Sequence, residues 1–101
     1  MTKERNIQTF AVDWQGIPLL VSYETRWLDL ESAKVAHLEV RSVSRERLPI
    51  TETGYRSHFL SPEEVTAAGG PVAYVVAWLD YMAQSKEWRA YAEASRQLSL
   101  F

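Results

Sequence analysis

Apolar and polar residues alternate along the first part of the chain. From Gln8 to Trp14, Phe10, Val12 and Trp14 point one way and Thr9, Ala11 and Asp13 the other, the period of a half-buried strand. Gln15-Gly16 reads as a tight turn, because glycine supplies the positive φ that hairpin turns require. Ile17, Leu19, Val21 and Tyr23 then resume the alternation, so residues 7–24 are expected to form a β-hairpin. Pro18 cannot donate a ladder hydrogen bond, which favours an edge strand or a bulge there. The stretch Arg26–Lys34 sets Trp27, Leu28 and Leu30 among charges and fits no single period. A third strand follows, with Ala36, Leu38 and Val40 alternating against His37, Glu39 and Arg41. Arg45-Glu46-Arg47 marks a turn or an exposed strand end. Leu48-Pro49-Ile50 leads into Thr51–Phe59, read as a short strand followed by an ordered loop.

The period then changes to that of helices. Ser61-Pro62-Glu63-Glu64 is a helix start, with Ser61 as cap, Pro62 at the first helical position and Glu64 placed for a capping box. Gly69-Gly70 ends that helix, and Pro71 opens a second in which Val72, Val75, Val76 and Leu79 share a face. Tyr74, Trp78 and Tyr81 run beside that face as an aromatic stripe, expected to be core. Gln84-Ser85 interrupts, and Ser85 caps a last helix from Lys86 to about Gln97, burying Trp88, Tyr91 and Ala92 and exposing Lys86, Arg89, Glu93 and Arg96. Strands first and helices second predict an α+β fold. A small antiparallel sheet, the hairpin plus one or two further strands, packs against two or three C-terminal helices. Residues 1–96 are expected to form one domain and residues 97–101 a tail.

Composition narrows the chemistry. The chain has 101 residues and no cysteine, so disulfides, thiolate metal sites and cysteine nucleophiles are excluded. The net charge of −2 argues against a duplex-binding surface, whose affinity comes largely from neutralising phosphates. No apolar run approaches the ~20 residues a membrane span needs, and the charged start Met1–Asn6 leads into no signal-type core, so a cytoplasmic protein is expected. No strand–glycine loop–helix unit is present to cradle a cofactor phosphate, and no cofactor is expected.

Three constellations remain. Glu52, Thr53, Tyr55, Arg56, Ser57 and His58 crowd into one polar loop suited to an anion, or to acid–base work by His58. The alternative is an ordered turn in which Gly54 takes positive φ. A small hydrolase or lyase would centre on Glu52, Tyr55 and His58. Arg41, Arg45, Arg47 and Arg56 form a candidate nucleic-acid face with Tyr55 and Phe59 as stacking platforms, although Glu39, Glu46 and Glu52 interrupt it. His37 and His58 lack metal-motif spacing, so no metal site is expected.

The chain ends Gln97-Leu98-Ser99-Leu100-Phe101. This resembles, at all five places, the Gln-Leu-Ser/Asp-Leu-Phe peptide with which bacterial polymerases, repair factors and replication regulators bind the DNA sliding clamp. The resemblance implies that Gln97 hydrogen-bonds at a pocket rim, that Leu98 adds a smaller apolar contact, and that Leu100 and Phe101 fill the pocket between two clamp subdomains. A competing arrangement continues the last helix, aligning Trp88, Tyr91, Ser95, Leu98 and Phe101 on one face against the domain. The segment Ile50–Phe59 also resembles small bacterial proteins of alphaproteobacterial type, a likeness that brings no activity with it. The expectation is a non-catalytic adaptor or regulator in DNA replication or repair, with the clamp as partner. The alternative is a nucleic-acid or anion-binding domain with a structural tail.

Overall fold

The computed structural model describes the backbone of residues 7–30 and 33–98 and the side chains of residues 7–25 and 35–95. Four strands, β1 (Ile7–Trp14), β2 (Ile17–Leu30), β3 (Ala33–Ser42) and β4 (Tyr55–Leu60), precede three helices, α1 (Pro62–Ala68), α2 (Pro71–Met82) and α3 (Lys86–Leu98). The strands form one antiparallel sheet in the order β1-β2-β3-β4. The α+β expectation is met.

The β1–β2 hairpin closes at Trp14↔Ile17 around Gln15 and Gly16, both at positive φ (51° and 85°), the signature of a type I′ turn. Asp13 Oδ1 accepts the Gly16 N–H at 2.9 Å. Pro18, however, does not mark an edge: β2 lies between β1 and β3. The ladder to β3 ends at Leu19↔Ser42, and the Pro18 carbonyl accepts the Val43 N–H at 2.9 Å. The missing proline N–H thus falls where β3 has already left the sheet. The register irregularity sits elsewhere, between Glu24 and Leu28.

A stretch without a readable period resolves, and one further expectation is corrected. The stretch Arg26–Lys34 is strand over 26–30 and 33–34, extending the β2–β3 hairpin. Residues 51–59 run loop first and strand second, with β4 pairing from Arg41↔Tyr55 to Ala36↔Leu60.

One sheet face carries the core. Leu19, Val21 and Tyr23 of β2, Ala36, Leu38 and Val40 of β3 and Leu60 of β4 are buried with Val65 of α1, Val75 and Leu79 of α2 and Trp88 of α3. Leu48 and Ile50 join them from the β3–β4 connection, where Leu48 and Thr51 exchange backbone hydrogen bonds of 2.8 and 3.1 Å. That connection is pinned to β3 at Ser42, whose N–H donates to the Gly54 carbonyl (2.8 Å) and whose hydroxyl donates to the Glu46 carbonyl (2.8 Å).

The helix caps form as the residue types require. Ser61 Oγ accepts the Glu64 N–H, and Gly69 at φ 104° ends α1 with the Gly70 N–H on the Val65 carbonyl. Glu64 reaches back only to the Ser61 hydroxyl, at 3.4 Å. Ser85 Oγ accepts the Trp88 N–H at 3.1 Å. On α2 the aromatic stripe divides. Tyr74 and Trp78 flank the buried Val75–Leu79 line, but Tyr81 follows Leu79 by two residues, about 200° around the helix, and is 72% exposed. The Trp14 indole N–H donates to Asp80 Oδ1 at 2.9 Å, tying β1 to α2. Among the described residues no helix is long and apolar enough to cross a membrane.

Candidate functional site

Strand alternation decides which polar side chains meet. In β4, Arg56 and His58 pair with Val40 and Leu38 and so share the helix-covered face, whereas Tyr55, Ser57 and Phe59 lie on the other. The polar loop expected over residues 52–58 is therefore split by the sheet. Glu52, Tyr55 and His58 do not converge: Glu52 lies on the β3–β4 connection, and the other two lie on opposite faces. Arg41 pairs with Tyr55 on the open face and Arg56 lies behind it, so the four arginines do not make one strip. His37 and His58 are likewise on opposite faces. No group of three or more metal-ligating side chains occurs among the described residues.

The open face carries a connected polar row. His37 Nε2 and Ser57 Oγ are 2.6 Å apart, and Glu39 Oε2 lies 3.7 Å from the same His37 nitrogen. The Tyr55 hydroxyl donates to Glu39 Oε2 at 2.8 Å, and this bond to a carboxylate, ahead of burial, raises the phenol above its ordinary pKa. The Phe59 ring stacks on His37 at 4.6 Å. Serine and carboxylate crowd one ring nitrogen, so this is not the relay in which a base is oriented from its far side.

On the covered face, His58 sits against Trp78 (4.7 Å between ring centroids) and Tyr74 (6.3 Å). Burial first, and the neighbouring Arg56 charge second, hold its imidazolium pKa below the ordinary value, against an opposing pull from Glu64. Arg56 lies over the Trp78 ring, 5.3 Å from its centroid, and donates to the Ile50 carbonyl at 3.0 Å. Arg47 lies over the Tyr91 ring of α3 at 4.9 Å, with Glu52 at 4.0 Å. Between these two guanidinium groups opens a cleft of about 370 Å³, walled by the Leu48–Glu52 turn on one side and by Ser85, Glu87 and Trp88 on the other.

A family model for the third domain of KlcB matches residues 7–88. The chain belongs to that family. The matched span contains the whole sheet, α1, α2, the start of α3 and every residue lining the cleft. No curated protein and no solved structure matches the chain.

The cleft joins Arg47, Glu52 and Arg56, three of the predicted site residues, to others with no predicted role in a site. Thr51 and Glu87 gave no signal, and Ser85 was legible only as a helix cap. Trp78 and Tyr91 were legible as apolar helix positions, and their second use as platforms for arginine depends on contacts between distant segments. Of the tail, Gln97 and Leu98 belong to α3 by backbone, with side chains outside the described residues, and Ser99, Leu100 and Phe101 lie outside them altogether.

Proposed function

We propose that this domain is a non-catalytic adaptor that docks on the bacterial DNA sliding clamp through Gln97–Phe101. The observation that carries the reading is where α3 parts from the body. Trp88 is buried and Tyr91 and Ala92 are half-buried, but Glu93, Ala94 and Ser95 are exposed. Ser95 is the position that a self-packed helix would cover on the way to Leu98 and Phe101. Its exposure favours a pentapeptide offered outward. A short segment with two adjacent apolar anchors binds by filling a preformed pocket. Docking in an extended form opens the last turn of α3, and helix ends open at little cost. Tethering also concentrates the body at DNA without a basic surface of its own, which suits a net charge of −2.

The test is titration of purified bacterial sliding clamp with the full chain and with a form lacking Leu100 and Phe101. Saturable binding lost on truncation, at unchanged thermal stability, supports the adaptor. Failure of the intact chain to bind, or binding that survives truncation, rejects it.

A further inference from the structure

We propose that the cleft between Arg47 and Arg56 is a binding site for a small phosphorylated molecule, held by its phosphoryl oxyanion. The site stands apart from the tail and does not rest on the adaptor reading. Its cations are pre-positioned. Each guanidinium is laid on an aromatic ring, Arg47 on Tyr91 at 4.9 Å and Arg56 on Trp78 at 5.3 Å. Stacking fixes the plane of a guanidinium and uses none of its five N–H donors, so its edge stays available for the paired hydrogen bonds that suit a phosphate. Arg56 is further oriented by its bond to the Ile50 carbonyl. Ser85 brings the start of α3 to the cleft, and Thr51 lines it with its hydroxyl donated to the Tyr55 carbonyl at 2.8 Å.

Two carboxylates line the same cleft, Glu52 and Glu87. Glu52 is the resident partner of Arg47, at 4.0 Å with its side chain 83% exposed. An ion pair that exposed contributes little, so a ligand oxyanion displaces it at small cost. Glu87 sets the selectivity: it repels a second anionic group and accepts hydroxyl or amino donors, which favours a monophosphate bearing such groups over a bare polyanion.

The size and the arginine placement both favour a small molecule over a nucleic-acid strand. A volume of about 370 Å³ is that of a small-molecule pocket. A strand needs a continuing track of cations, and Arg41 of β3 lies on the opposite face of the sheet from Arg56.

The experiment is a titration of the full chain with inorganic phosphate and with a sugar monophosphate at constant ionic strength, followed by amide chemical shifts. The expected result is saturable movement of Thr51, Glu52, Ser85 and Arg56, with the sugar monophosphate binding more tightly than inorganic phosphate. R47Q and R56Q should each weaken binding by about tenfold or more. R47K and R56K keep the charge but lose the fork and should also weaken it, while R41Q leaves it unchanged. Each variant's amide spectrum reports whether it is folded, and the lysine variants keep the test open where a glutamine variant unfolds. Absence of saturable shifts overturns the proposal. So do affinities unmoved in folded R47Q and R56Q, or a short single-stranded DNA that binds more tightly than either phosphate and depends on Arg41.

Discussion

Gly54 is the position where a single methyl group should cost most. It is buried at φ +83°, and a Cβ built on it meets Ser42 Oγ at 2.6 Å, the Arg45 carbonyl carbon at 2.9 Å and the Glu46 carbonyl oxygen at 2.9 Å. Two of those three atoms are backbone and cannot rotate away. The third belongs to the hydroxyl that donates to Glu46, so moving it breaks the bond that pins the β3–β4 connection. Three costs therefore combine in Gly54→Ala. The left-handed backbone costs an L-residue about 1–2 kcal/mol, overpacking about 1–3 kcal/mol, and a displaced buried hydroxyl about 1–3 kcal/mol. The total is about 3 kcal/mol at the least, a large share of the ~5–15 kcal/mol that holds a domain folded.

Gly16 supplies the control. Its φ is +85°, nearly that of Gly54, but a Cβ there meets nothing within 4 Å. Gly16→Ala should lose only the backbone cost, about 1–2 kcal/mol. Urea denaturation of the two variants at unchanged slope separates conformation from contact. Adding Ser42→Ala to Gly54→Ala should recover only part of the loss, because the two backbone contacts persist. If Gly54→Ala and Gly16→Ala lose the same stability, the junction yields freely and the steric reasoning is wrong.

Asp80→Ala should cost about 1–2 kcal/mol by leaving the Trp14 indole N–H without its carboxylate, whereas Asp80→Asn keeps an acceptor and most of the stability. Thermal melts and tryptophan fluorescence check this, and equal losses in the two variants would refute it. His58 has its pKa lowered in the folded state, so its contribution is complete above the unfolded value of 6.5 and is lost as pH falls from there toward the folded value. His58→Phe, which keeps a ring against Trp78, should flatten the fall in stability between about pH 7 and pH 5. An unchanged slope in that variant would place the titration elsewhere.

The elements legible from sequence are those whose chemistry is local. The Gln15-Gly16 turn, the Ser61 and Ser85 caps and the Gly69 stop depend on neighbours a few residues away, and all formed as expected. β4 was misread because its helix-side positions are Arg56, His58 and Leu60, of which only Leu60 is apolar and buried, so no apolar period shows. What packs those two polar residues on the helix side is Trp78 and Tyr74, some 20 residues further on, whose rings receive them. Pro18 misled for a related reason: whether its missing N–H matters depends on where a different strand ends. The arginine strip failed on parity, since residues 41 and 56 fall on opposite faces once the β3–β4 register is set.

The two proposed activities occupy different parts of α3, and the helix geometry lets them operate together. Arg47 rests on Tyr91, and Trp88 walls the cleft from the first turn of the same helix. The pentapeptide begins at Gln97, six residues after Tyr91 and thus about 9 Å further along the axis. Opening the last turn for clamp docking leaves the Trp88–Tyr91 pair, whose rings are 5.2 Å apart, still packed through Trp88 against Trp14 at 5.8 Å. The arginine platform therefore survives docking. A ligand in the cleft and a clamp on the tail should bind independently, and removal of Leu100 and Phe101 should leave phosphate affinity where it was. Coupling between them would require α3 to shift as a rigid rod, and the Trp14–Trp88 contact is what resists that motion.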